Sequence, residues 1–298
     1  RFAWYCSLRI FARYAGVRFK EDRLTLDALI FIDTNIFLDF YRIRRSDVSL
    51  EYLNRLEDCK DRLILGSQVE MEYKKNRQKV ILESLNKYSK PDWNKLTPPA
   101  LLSDSQAAKQ IEKSKKRIEK QQKVVNEKIE NILGEPSRHD KVYQHLQRIF
   151  KYKSEFNLNR LSKKRFSIRR LAKKRFTLGY PPRKNEDLSI GDSINWEWIV
   201  DCANRTNKDI IIVTRDTDFG VIYNGKSYLN DWLKIEFQER VSKRRKLVLT
   251  DKLSFALKAI DEVVTQEMVD AEKQLLEWIE SWANADEGAH LDDDFYAD

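Results

Sequence analysis

The chain has 298 residues, with 56 Lys/Arg against 47 Asp/Glu and a net charge of +9. Hydrophobic residues make up 41% and charged residues 35%, which fits one large core plus a charged, exposed extension. Three scattered cysteines (Cys6, Cys59, Cys202) and three dispersed histidines (His139, His145, His290) exclude a disulfide framework, a CxxC zinc site and a histidine-based triad, and no apolar run approaches the ~20 residues of a membrane span.

The opening stretch RFAWYCSLRIFARYAGVRFK is basic and amphipathic. It reads as a presequence, a partner-binding helix or an exposed first element, and it lacks the small-residue cleavage site of a secretory signal. Residues 29–33, LIFID, read as a short buried parallel strand, and 35–58 as helix. RLILG, 62–66, reads as a second strand. Residues 67–88 read as a helix opened by a capping box, Ser67 to Glu70. Residues 89–100 read as loop and 101–133 as a long polar helix. Ile111, Ile118, Val125 and Ile132 recur every seven residues, but one apolar residue per heptad is thin for a coiled coil. Residues 141–178 read as basic helix carrying an internal echo, SKKRFSIRR and AKKRFTLGY. A loop over 179–192 follows, then helix from Ser193, then a strand ending on acids in DIIIVTRDTDFG, 209–220. Helix is expected over 229–240, strand over RKLVLTD, and helix over 252–283 before an acidic tail.

With strands alternating with helices and no hairpin expected, the fold class is α/β with a central parallel sheet flanked by helices. Right-handed crossovers put all strand C-termini on one edge, where such sheets place their sites. The domain reading is an N-terminal extension at 1–28, a first part of the sheet domain at 29–88, a basic helical insertion at 89–178, a second part at 179–283 and an acidic tail at 284–298.

Charge is unevenly spread. Residues 74–178 hold 29 Lys/Arg and 10 Asp/Glu, leaving 27 and 37 for the rest. A basic segment set into an acidic body suits a protein that grips a polyanion with one part and does other chemistry with the rest. The densest stretch holds Lys163, Lys164, Arg165, Arg169, Arg170, Lys173, Lys174 and Arg175, with Phe166 and Phe176 interleaved, which suits phosphate contact with stacking. A solvated helix face, or a dock for the acidic tail or an acidic inhibitor, is the competing reading.

Asp33 ends an apolar strand, as a turn former, a helix cap or a placed ligand. Glu72 follows Glu70 on the next helix and shares an inward stripe with Val69 and Tyr73. Asp192 precedes an apolar helix, as a cap or a ligand. Asp216 and Asp218 follow the most apolar strand, next to Thr214. Several carboxylates meeting at one edge would repel one another and take up protons unless a divalent cation resolved the conflict. All-oxygen ligands favour Mg²⁺ or Mn²⁺. Such ions promote phosphodiester hydrolysis. DTD alone also matches a glycosyltransferase motif, but no nucleotide-sugar pocket accompanies it.

FIDTNIFLDFYR, QVEMEYKKNR, GDSINWEWIV and IIIVTRDTDF, in this order, resemble the PIN-domain nucleases, in particular a PIN-like branch with a long charged helical insertion. The resemblance covers about 29–82 and 179–250. It implies a Rossmann-like sheet, metal-dependent cleavage of RNA, Asp33, Glu72, Asp192 and Asp216 as ligands in that order, Asp218 as a contender for the fourth place, and Asn35 and Thr214 as supporting polar groups. GDSINWEWIV departs from the pattern where a small apolar residue usually follows the Asp, and Glu197 could share the third role. Many relatives are toxins or defence effectors. The expected partner is RNA ahead of DNA, with an inhibitor protein or self-association open and no membrane; the expected location is cytoplasmic. The alternatives are a catalytically inactive RNA-binding or scaffold module and a structure-specific DNA nuclease. A phosphatase that also begins with strand and Asp requires a second Asp where this chain has Asn35.

Overall fold

The computed structural model describes residues 25–86, 96–183 and 189–291. Its centre is a five-stranded parallel sheet built from β1 (Ala28–Ile32), β2 (Leu63–Gly66), β3 (Asn157–Leu158), β4 (Asp209–Val213) and a last strand, Leu247–Thr250, in the order β3, β2, β1, β4, last. Leu29 to Ile32 and Ile210 to Val213 are buried almost completely. Each such side chain contributes about 1.5–3 kcal/mol on burial, which offsets the cost of ending both strands among acids. Connections run to one side of β1 through β2 and β3, and to the other through β4. The strand order therefore switches between β1 and β4, where crevices open in folds of this kind.

The expected helix over 35–58 is two helices, α1 (Thr34–Asp39) and α2 (Ser46–Asp58). Buried Asp39 accepts from Arg42 and pairs with Arg215, and these contacts hold the turn between the helices. α3 (Ser67–Asn86) leaves directly from β2. Glu70, expected in a capping box, pairs with Lys74. The long polar helix is α4 (Gln106–Gly134). Ile111, Ile118 and Val125 are exposed on it, in keeping with the absence of a coiled-coil seam.

Residues 141–178 differ from the expected continuous basic helix. They form α5 (Lys141–Lys151), β3 and α6 (Lys164–Leu178). Leu146, Ile149 and Phe150 on α5, and Ile168 and Ala172 on α6, are core residues. This part of the expected insertion thus belongs to the sheet domain itself. Arg77 of α3 ties the segments together, pairing with Asp140 at 2.7 Å and donating to the Ile132 carbonyl at 2.6 Å.

α7 (Gly191–Arg205) packs under the sheet, where Trp198 Nε1 donates to the carbonyls of Leu65 and Phe156. The apolar strand stops at Val213, seven residues short of the expected Gly220. A hairpin follows, β5 (Gly220–Tyr223) and β6 (Lys226–Leu229), antiparallel to each other. The expectation of no hairpin is corrected by Asn224 (φ 50°) and Gly225 (φ 68°), the left-handed pair of a two-residue turn that matches strand twist. Then come α8 (Asp231–Arg240), the last strand β7 (Leu247–Thr250), α9 (Leu253–Ala259) and α10 (Gln266–Leu291). The expected single helix over 252–283 breaks at Asp261, which takes φ 69°. The basic opening stretch and residues 292–298 of the acidic tail lie outside the described residues.

Candidate active site

Asp33 sits one residue past β1 at 5% exposure. Its Oδ1 accepts the Thr34 amide at 2.6 Å, and its Oδ2 accepts the Thr214 hydroxyl at 2.6 Å and the Asn35 amide at 2.8 Å. Asp33 thus caps α1, one of the readings open in the sequence, and faces the end of β4 at once. Burial pushes its carboxyl up to about 6. The Thr214 and Thr34 hydrogen bonds oppose this, and the charges of Asp216 and Glu72 add to it. The last two causes place both acids within electrostatic reach of Asp33.

Thr214 Oγ1 also accepts the Asp216 amide at 2.9 Å, and Asp216 Oδ1 accepts the Asp218 amide at 3.2 Å. This turn folds both acids back onto the sheet edge. Arg215 braces it from outside, bridging to Asp39 at 2.5 Å and to the Asn35 carbonyl at 3.2 Å.

Glu72 approaches from the first turns of α3. Its Oε2 accepts the Thr34 hydroxyl at 3.1 Å, and its Oε1 accepts Gln68 Nε2 at 2.6 Å. Gly191, at the start of α7, runs so close to Glu72 that a Cβ there would collide with Glu72 Oε1 and lie 2.9 Å from Gln68 Nε2. Absence of a side chain at 191 therefore lets the start of α7 approach Glu72. Asp192, Asp216 and Asp218 each offer a carboxylate oxygen within 4.8 Å of the others. The cap position of α7 is Ile190, so Asp192 sits in the first helical turn instead of capping it. The choice between Asp216 and Asp218 is not exclusive in this geometry, since both enter the cluster.

Glu197 does not join them. It lies buried against Arg175 (2.9 Å) and Arg240 (2.7 Å). Burial alone would raise its pKa, but the Arg240 and Arg175 guanidiniums outweigh this and hold it below the usual range. Its expected share in the third ligand role is corrected on that ground. Arg175 is corrected likewise: at 4% exposure, paired with Glu197 and Glu236, it is a core cation closed to phosphate.

The other basic candidates divide. Lys164 pairs with Asp201 at 2.8 Å. Lys163 and Lys174 are exposed. Arg169, Arg170 and Lys173 line an open groove with Phe166, Gln68, Ile190 and Ile194. Since Gln68 also touches Glu72, this groove leads to the acids. Sequence reasoning passed over Thr34, Gln68, Arg215 and Gly191. For Gly191 a signal existed, a glycine directly before a candidate ligand.

A family model described as PIN domain matches residues 30–219. The chain belongs to the PIN domain family. PIN domains are generally nucleases and usually use divalent metals, and the sheet order and acidic edge described above agree with that membership. No curated protein and no solved structure matches the chain. Among the described residues, no helix of this PIN domain is long and apolar enough to cross a membrane.

Proposed function

We propose that this PIN domain is a metal-dependent endoribonuclease that hydrolyses RNA phosphodiester bonds. One observation carries the reading: Asp192, Asp216 and Asp218 form a carboxylate cluster, and Asp33, buried and raised to about 6, is tied to it through Thr214, with Glu72 joined to Thr34 next to Asp33. The donor set fits a hard divalent cation such as Mg²⁺ or Mn²⁺. It is all oxygen, and Asn35 Oδ1 beside it is buried without a hydrogen-bond partner. When bound, the cation would polarise a phosphodiester oxygen and acidify a water.

The chain's own residues do the rest. Asp33 is fixed through both oxygens, so its orientation does not have to be found during the reaction. Thr214 and Thr34 hydrogen-bond the carboxylate and oppose part of the effect of burial on it, while Asn35 adds a third contact to its Oδ2. Glu72 is aimed by Thr34 and Gln68. Arg169, Arg170 and Lys173 offer the cationic groove along which a polyanionic strand reaches the acids.

Purified chain incubated with labelled single-stranded RNA and matched DNA tests the reading. Cleavage of RNA in preference to DNA supports it, while cleavage of DNA with RNA left whole gives the structure-specific DNA nuclease. The triple variant R169E/R170E/K173E is expected to weaken RNA binding and flatten its salt dependence, and unchanged affinity overturns the groove's role. A deletion of 141–178 would be uninformative, because it removes a sheet strand. Action as a toxin or defence effector in the cytoplasm is part of the proposal and follows family habit.

A further inference from the structure

Beside the acids lies a second feature that the catalytic reading does not use. A small pocket is bounded by Gly66 at the end of β2, by Ser67 and Gln68 at the start of α3, by Asn195 on α7 and by Arg165 and Arg169 on α6. Asn195 is 4% exposed, yet its Nδ2 has no hydrogen-bond partner. Arg165 Nε is also buried without one. Both orphan groups are donors. A buried donor left unpaired costs about 1–3 kcal/mol, so the pocket calls for an acceptor. It also carries the positive end of a 20-residue helix and two guanidiniums, which calls for an acceptor with negative charge. Trp198, which also lines it, is not competing, because its own N–H is spent on two carbonyls.

We propose that a non-scissile phosphate of a single-stranded RNA substrate sits at the mouth of this pocket and sends one oxygen into it. The inference rests on the nuclease reading of the acid site and deepens it. Position supports it: Asn195 is one helical turn past Asp192, and Gln68 borders the pocket, lines the basic groove and touches Glu72. A phosphate seated here belongs to the same strand as the one at the acids. The single-strand preference comes from Phe166, 62% exposed on the adjoining groove wall between Arg165 and Arg169. The Arg165 guanidinium lies 4.7 Å from its ring centroid, and the part of the ring left exposed can meet a base face, which a duplex hides and an unpaired strand presents.

The test is a scan in which each phosphate of an RNA oligonucleotide is replaced in turn by a neutral methylphosphonate. In the wild type, one position away from the cut is expected to raise KM about tenfold with kcat nearly unchanged, the loss of one or two charge-assisted hydrogen bonds. Arg165→Met and the near-isosteric Asn195→Leu should each carry a comparable KM increase already and lose sensitivity at that position. Thermal melts check folding; should Asn195→Leu fail to fold, Arg165→Met, on the outer wall, carries the comparison. A flat scan in an actively cutting wild type, or wild-type KM in Arg165→Met, overturns the pocket while leaving the nuclease reading intact. A wild type that cuts no RNA overturns both.

Discussion

Thr214 donates a 2.6 Å hydrogen bond to Asp33 across 181 residues of sequence, joining the ends of β4 and β1 at the point where the strand order switches. The same oxygen accepts the Asp216 amide, so one hydroxyl orients two acids. Thr214→Val removes both contacts while keeping the side chain's shape. The variant is expected to let the Asp33 pKa climb above about 6, moving the acid limb of the pH–rate profile upward by about one unit, the size expected for a lost hydrogen bond of about 1.5 kcal/mol. A pH–rate profile with an unshifted acid limb would show that Thr214 does not set Asp33.

The raised pKa of Asp33 also makes a stability prediction. Its folded value, about 6, exceeds the reference value of 3.8. The favourable contribution of the protonated group is therefore complete below the lower value and is lost as pH rises through the upper one. Metal-free wild type should lose about 2–3 kcal/mol from this group between pH 4 and pH 8, at about 1.4 kcal/mol per unit. Asp33→Asn should remove that dependence and be the more stable protein at pH 8 in EDTA. Urea melts at the two pH values measure it; an Asp33→Asn protein less stable than wild type at pH 8 contradicts the account.

Gly191→Ala should uncouple binding from cleavage. The added methyl meets the ends of the Glu72 and Gln68 side chains, which are flexible, so the fold absorbs it at small cost. Glu72, however, must leave its place. RNA affinity in EDTA should be retained and kcat should fall by tenfold or more, roughly the effect of misplacing a reacting group. Equal kcat would mean that Glu72 is not needed where it stands.

Arg175→Met should behave as a core lesion. It leaves Arg240 to pair with both Glu236 and Glu197 and is expected to cost about 3 kcal/mol, as for a broken buried pair. The salt slope of RNA binding by the folded variant should match wild type, while Arg169→Ala should reduce it by about one unit if it contacts one phosphate. Chemical denaturation and salt titrations separate the two.

β1 and β4 were legible because unbroken apolar runs have few other uses, and the acids after them stood out against that background. β3 was not, since two residues make no pattern and only the neighbouring β2 reveals the strand. Arg165 and Arg175 occupy equivalent places in the repeated KKRF motif, so nothing local separates the half-exposed one from the core cation. The distinction is made by Glu197 and Glu236, far away in sequence. The hairpin was legible in Asn224-Gly225 and was passed over. Glu197 looked like a ligand because it follows Asp192 closely on the same helix, but five residues are well over one turn, and it faces the Arg175 side of α7.

The central claim is that the five acids form a hydrolytic metal centre. Cleavage of labelled single-stranded RNA by wild type and Asp33→Asn, in Mn²⁺, Mg²⁺ and EDTA, tests it most directly. The account predicts cleavage by wild type with either metal, none in EDTA, and loss of at least about a hundredfold in Asp33→Asn, corresponding to about 2.7 kcal/mol of barrier. RNA that is bound but left whole by wild type with both metals, or an Asp33→Asn variant that cuts like wild type, would contradict it.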